Sequence, residues 1–156
     1  MIHYSVIIKS KHWPKRLKKI DKIIQLILKQ KKLFNFNKNI VYYCSFILMN
    51  DSLIRKFNKL YKKNNKITDV LTFVSNIKKK IHKDENYCDI MISAEILAKD
   101  AIKNKINFYD HFTHIIVHSL LHISGYKHNN NHDYLIMKKK EIEILNNLGI
   151  LYPYNT

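Results

Sequence analysis

The run from His118 to His128, His-Ser-Leu-Leu-His-Ile-Ser-Gly-Tyr-Lys-His, constrains the fold of this chain more than any other stretch. His118 and His122 stand four apart in an apolar helical segment, so both imidazoles leave the same helix face one turn apart. Gly125 can take the left-handed conformation that stops a helix, and the chain can then fold back to aim His128 at the first two rings. Only two glycines occur among the 156 residues, so a glycine at this place stands out. Three neutral nitrogen donors fill three corners of a tetrahedron and leave the fourth for water, which is the arrangement of a catalytic rather than a structural zinc.

Two other readings of the same residues stay open. The histidines can be ordinary side chains stacked along a helix, or they can hold a structural zinc completed by a fourth ligand such as His132 or Asp133, which would close the site. His114, four before His118, extends the same face and can bond a ligand ring or a substrate, and His111 is a weaker candidate for the same supporting role. The zincin peptidase motif carries Glu after its first histidine, whereas this chain has Ser119, which argues against a peptidase. Without that carboxylate the metal itself has to lower the pKa of its bound water.

Charge points to the partner. Lysine and arginine number 28 against 12 acidic residues, a formal charge of +16, and the resulting field attracts polyanions such as RNA or DNA. Cys44 and Cys88 are far apart in sequence and lie in apolar stretches, so buried free thiols are expected. No apolar run approaches the roughly 18 residues of a membrane span, and Val6 to Ile8 is too short for a signal peptide. The expectation is a soluble, cytoplasmic protein without a membrane partner.

Periodicity supplies the elements. Ile2 to Ile8 reads as a strand, and Pro14 opens a helix running to about Leu33, with Leu17, Ile20, Ile23, Ile24, Ile27 and Leu28 on the face that packs on a sheet. Ile40 to Met49 is a strand rich in β-branched and aromatic residues. Asn50 or Asp51 caps a helix through Leu53, Ile54, Phe57, Leu60 and Tyr61, which ends in the basic segment Lys62 to Lys66. Thr68 to Val74 reads as a strand, followed by a lysine-rich loop to about Asn86, a short strand Asp89 to Ile92, and a helix over Ala94 to Lys103 capped by Ser93. Phe108 to Ser124 is the histidine helix, with Ile115, Ile116, Leu120 and Leu121 as its buried side. A last helix spans Asn131 to Leu148, with Gly149 as its stop. The pattern predicts an α+β single domain: a small mixed four-stranded sheet covered by about five helices.

The histidine run resembles the signature of the YbeY endoribonucleases, bacterial zinc-dependent proteins acting in ribosomal RNA maturation. That signature reads HGxLHLxGYDH, against HSLLHISGYKH here, and the likeness continues without a gap through Met137, Glu141, Glu143, Leu148, Gly149 and Pro153 to Tyr154. A second family block, YRGKDKPTDVLSFP, resembles the stretch from Tyr61 to Val74, and a third, GDI, is similar to Cys88-Asp89-Ile90. The first sixty residues agree only in the order of elements.

The resemblance implies one domain over residues 1–156, one Zn2+ held by His118, His122 and His128, and single-strand-specific RNA cleavage. It further implies action on small-subunit ribosomal RNA, contact with the small ribosomal subunit, and a part in ribosome quality control. The family's functionally important arginine corresponds to Lys62, which keeps the charge but lacks the bidentate fork that grips a phosphate. Lys62 is therefore the expected catalytic residue, neutralising charge on the scissile phosphate, and Lys62 with Lys63 the expected RNA contacts. Thr68 and Asp69 are expected to fix the turn that brings Lys62 to Lys66 toward the zinc cleft. Ser119, Lys127 and Cys88 depart from the family's Gly, Asp and Gly. Two rival readings are a metal-dependent hydrolase of another bond, such as an amide or ester, and a ribosome assembly factor whose zinc is mainly structural.

Overall fold

Four strands and five α-helices follow from these patterns in the computed structural model, which describes residues 1–62 and 70–151, the side chains of 61 and 62 excepted. In chain order they are β1 (Ile2–Ile8), α1 (Leu17–Lys29), β2 (Ile40–Met49), α2 (Asp51–Lys62), β3 (Val70–Ile77), β4 (Asp84–Ser93), α3 (Ala94–Lys103), α4 (Phe108–Ile123) and α5 (Asn131–Asn147). The class is α+β with a mixed sheet. The backbone clusters into two compact units, Met1–Lys18 with Lys38–Asp100, and Lys19–Asn37 with the chain from Ala101 onward.

The first unit holds the sheet, in the order β1-β2-β4-β3, with β1, β2 and β4 parallel and β3 antiparallel to β4. Side chains alternate faces along each strand. Tyr42, Cys44, Phe46, Leu48, Cys88, Ile90 and Ile92 share one face and are buried. On the other face Met49, Leu71 and Met91 join Ile54 of α2 in a cluster packed against Leu53 and Phe57. Burying each such side chain stabilises by about 1.5–3 kcal/mol relative to exposure. The Trp13 indole, fully buried, donates to the Met49 carbonyl at 3.0 Å.

Helix starts are fixed by short polar side chains. Asn50 caps α2, its Oδ1 accepting from the Leu53 amide at 2.9 Å. Ser93 serves two helices: its Oγ accepts from the Ile96 amide of α3 and donates to Asp51 of α2 at 2.5 Å. Cys44 and Cys88, distant in sequence, lie directly across β2 and β4 as buried free thiols. Their mutual hydrogen bond first, and burial next, push the Cys44 thiol up from its ordinary pKa.

Two expectations need correction. The strands around the lysine-rich loop are longer than the sequence predicts: β3 continues to Ile77 and β4 begins at Asp84, leaving only 78–83 as turn. Both faces are partly or fully exposed at this end of the hairpin, so no apolar alternation marks it. Polar cross-strand contacts hold it instead, with Asn76 Nδ2 donating to Asn86 Oδ1 at 2.5 Å and the Lys79 amide to Asp84 at 3.1 Å. The first helix is also not continuous from Pro14 to Leu33. Its ends are 3-10 turns at Pro14–Arg16 and Lys31–Leu33, flanking the α-helical Leu17–Lys29.

The second unit contains α4 and α5. Asn107 caps α4 through the Tyr109 amide and Asn130 caps α5 through the Asp133 amide. Both helices end in the same way. At α4 the Gly125 amide bonds the His122 carbonyl and the Tyr126 amide the Leu121 carbonyl; at α5 Gly149 bonds Asn146 and Ile150 bonds Leu145. This double closure needs a positive φ at the penultimate donor, and the two glycines of the chain supply it, at +113° and +79°.

Candidate metal centre

Helix periodicity sets the first two candidate ligands. α4 is buried over most of its circumference, and His118 and His122, four apart, leave one strip of it that is only half-buried, with their ring centroids 4.7 Å apart. The glycine stop then brings His128 back, its centroid 4.6 Å from His122 and 5.7 Å from His118. One candidate ligand atom from each of the three lies within 4.8 Å of the others. The structure thus gathers the three histidines that the sequence singles out.

Each of the helical rings is held from its far side. His118 Nδ1 meets Glu141 Oε1 of α5 in a short contact, and His122 Nδ1 bonds the Tyr126 carbonyl at 3.0 Å. An ionised carboxylate and a carbonyl only accept, so both rings donate from Nδ1 and keep a lone pair at Nε2. Those two Nε2 atoms face one another at 3.1 Å. Two lone pairs at that distance repel unless a cation lies between them, and two nitrogens on one tetrahedral zinc stand about 3.3 Å apart. The donor set therefore fits a metal ion. Burial, the largest cause, lowers the pKa of His122 and favours the neutral ring a metal requires.

Glu141 was visible in sequence only as part of the family likeness, and its role comes from the fold. It is 4% exposed, beside buried Met137, Ile144 and Leu145 on α5. Its second oxygen, Oε2, accepts from His114 Nε2 at 2.9 Å. Burial pushes its carboxyl up, but the bonds and charges of His114 and His118 win and hold it at about 2. A carboxylate in the apolar stripe of a helix, one turn from Met137, is the signal that could have found it. His114, His118 and Glu141 also form a second group with metal-ligand spacing, but the contacts of Glu141 are those of an acceptor orienting two imidazoles.

A cavity of about 140 Å3 adjoins the cluster, lined by His114, His118, His128, Tyr134, Lys138 and Glu141 among others. Neither metal-spaced group among the described residues includes His132 or Asp133, and Asp133 instead pairs with Asn130 in the first turn of α5. Ser119 is buried, its hydroxyl without a hydrogen-bond partner among the described residues, and an uncharged hydroxyl does not replace the zincin carboxylate as a base. His111 is buried and belongs to neither group. The side chain of Lys62 and the whole of Lys63, Thr68 and Asp69 lie outside the described residues.

The profile of the endoribonuclease YbeY family matches residues 7–149. The chain belongs to this family. A protein of Neorickettsia sennetsu named endoribonuclease YbeY is 33% identical over 152 residues, covering 89% of this chain and 92% of its own length. One of Ehrlichia chaffeensis with the same name is 34% identical over 154 residues, covering 97% of this chain and 90% of its own. A Thermotoga maritima protein solved in solution has the same fold, with a TM-score of 0.54 at 20% identity over 96% of this chain and 92% of that one.

The YbeY match takes in the three histidines, Glu141 and both helix-stopping glycines, which gives the glycines contrasting expectations. A Cβ added at either meets nothing within 4 Å, so alanine there costs only backbone strain, about 1–3 kcal/mol. Gly149→Ala is expected to lower the melting temperature and leave metal affinity unchanged. Gly125→Ala is expected to lower both, because it strains the turn that carries His128 and the Tyr126 carbonyl. Calorimetry beside zinc titration checks the contrast.

Proposed function

We propose that this chain is a metal-dependent endoribonuclease of single-stranded RNA. It works as one domain over residues 1–156, in the cytoplasm, on small-subunit ribosomal RNA, in its maturation and in ribosome quality control. The observation that carries the reading is the facing pair of lone-pair nitrogens on His118 and His122, 3.1 Å apart, in a chain whose YbeY relatives bear the name endoribonuclease.

We assign one Zn2+ to His118, His122 and His128. Bound there, the ion supplies a water of lowered pKa and polarises a phosphoryl oxygen. Glu141 holds the proton on His118 Nδ1 and the Tyr126 carbonyl holds the one on His122 Nδ1, so neither ring can turn its donor nitrogen away. Lys62 is the residue proposed to neutralise the scissile phosphate, with Lys63 beside it on the RNA. Lys138 adds positive charge on the wall of the cavity. The net charge of +16 draws the polyanion. Among the described residues no helix is long and apolar enough to cross a membrane.

Salt is the test of substrate class. With about three phosphates neutralised, RNA affinity is expected to fall roughly 20-fold between about 50 and 200 mM salt. Cleavage of a labelled single-stranded RNA at subsaturating substrate should fall with it. A hydrolase of small neutral esters or amides has no such slope, so activity indifferent to salt would refute the assignment. The product ends identify the nucleophile: a 2′,3′-cyclic phosphate requires attack by the ribose 2′-hydroxyl.

A further inference from the structure

Three rings stand in one row across the sheet, on the face that α2 covers only at its other end. His3, Tyr43 and Tyr87 are paired in register across β1, β2 and β4. His3 and Tyr43 stack with centroids 5.1 Å apart and planes 17° from parallel; Tyr43 and Tyr87 stack at 5.0 Å and 13°. The step is that of neighbouring strands, about 4.8 Å, so the rings form one continuous stack running perpendicular to the chain direction. Cross-strand pairing accounts for the rings lying against each other. It does not account for how the row ends.

The fourth place in the row, on β3, is Ser75. Its side chain is too short to cover a ring, and Tyr87 stays 43% exposed. Because β3 is the edge of the sheet among the described residues, the space above Ser75 has the face of Tyr87 as one wall and no described strand beyond it. The Tyr87 hydroxyl donates to Glu85 Oε2 at 2.8 Å, which fixes the ring's tip. At the same end of the sheet the turn at 78–83 carries Lys78, Lys79, Lys80 and Lys83, and the Lys83 ammonium reaches the Lys38 carbonyl at 2.9 Å. Asp84 and Glu85 pair with Lys78 and Lys79. Lys38, Lys80 and Lys83 have no carboxylate partner among the described residues, which leaves this end positive. Asp89 lies one row further along, toward α2.

We propose that this row is a stacking platform for an unpaired base of RNA. The base enters the space above Ser75 and becomes the next ring after Tyr87, while the phosphates beside it lie along the lysines of the turn. Every base has a face to stack, so the platform tolerates any sequence but excludes a duplex, whose bases are already stacked and paired. The inference rests on the reading of the chain as an enzyme of single-stranded RNA, and adds a place where that strand is held.

Two variants test it from opposite directions: Tyr87→Ala removes the wall, and Ser75→Ile fills the space with a branched aliphatic side chain that offers no ring face, while keeping the strand intact. Both are measured as full-length protein against a single-stranded oligoribonucleotide of about ten nucleotides carrying 2-aminopurine, whose fluorescence is quenched on stacking. Wild type is expected to quench the probe, and each variant to bind about 10-fold more weakly with the quench lost. If Tyr87→Ala does not fold, Ser75→Ile alone decides the matter. Wild-type affinity and quench retained in Ser75→Ile would overturn the platform, as would equal competition by a duplex of the same length. A wild type that neither binds nor cleaves single-stranded RNA would instead overturn the functional reading, so the two failures are distinct.

Discussion

His118→Ala is expected to release the metal and bring RNA cleavage down to background while leaving a folded protein. The variant loses one of three ligand nitrogens outright. Partners that merely orient a ligand are worth 10–100-fold in metal affinity, so loss of a ligand should cost about a thousandfold or more. Without the ion no described residue near the cluster lowers the pKa of a water toward neutrality as a bound metal does. The structural cost is smaller. Glu141 keeps His114 but loses one acceptor contact, a loss of about 1–3 kcal/mol from a total that is ordinarily 5–15 kcal/mol. Elemental analysis, circular dichroism and an RNA cleavage assay on the two proteins check this. A variant that unfolds when the metal leaves would identify a structural ion, and one that retains metal and cleavage would remove His118 from the site.

Glu141→Gln is expected to weaken metal binding by about 10–100-fold, though residue 141 is not itself assigned as a ligand. The amide is of similar size but carries no charge, and it presents an N–H to one of the two imidazoles that now donate to the carboxylate. His118 is then free to turn or to change tautomer. The same substitution has a signature in acid. The folded-state pKa of Glu141 lies at about 2, below its ordinary value, because the bonds and charges of His114 and His118 outweigh burial. A depressed carboxylate contributes stability that is fully present above the unfolded value of about 4.3 and is lost as pH falls toward the folded one. Between those limits the wild type should lose melting temperature faster than Glu141→Gln. Parallel acid profiles of the two melting temperatures would refute the coupling.

Much of this architecture is written in short-range chemistry. β1, β2 and α3 begin and end where alternation, β-branched content and the Ser93 cap put them, and both glycines mark helix stops as their rarity suggested. The far half of the β3–β4 hairpin was not legible, because strands exposed on both faces have no apolar period to read and are held by Asn76, Asn86 and Asp84 instead. The site divides along the same line. The three histidines lie within one helix and its stop, so their spacing carries the geometry. Glu141 arrives from α5 and the Tyr126 carbonyl from a turn, and neither tertiary contact has a period in sequence. Lys62 and Lys63 rest on family likeness alone.

The alignment of Cys44 with Cys88 gives the folded chain a built-in gauge. Both thiols are sealed in the centre of the sheet, at 2% and 0% exposure, on the two strands that every other strand flanks. Both stand on the buried face of the sheet, so a thiol reagent reaches them only when that face is uncovered, and its rate of uptake counts openings of the core rather than the reactivity of sulfur. Uptake should be slow in native buffer and jump at the denaturant concentration where the sheet melts, with both sulfurs labelled in the same event.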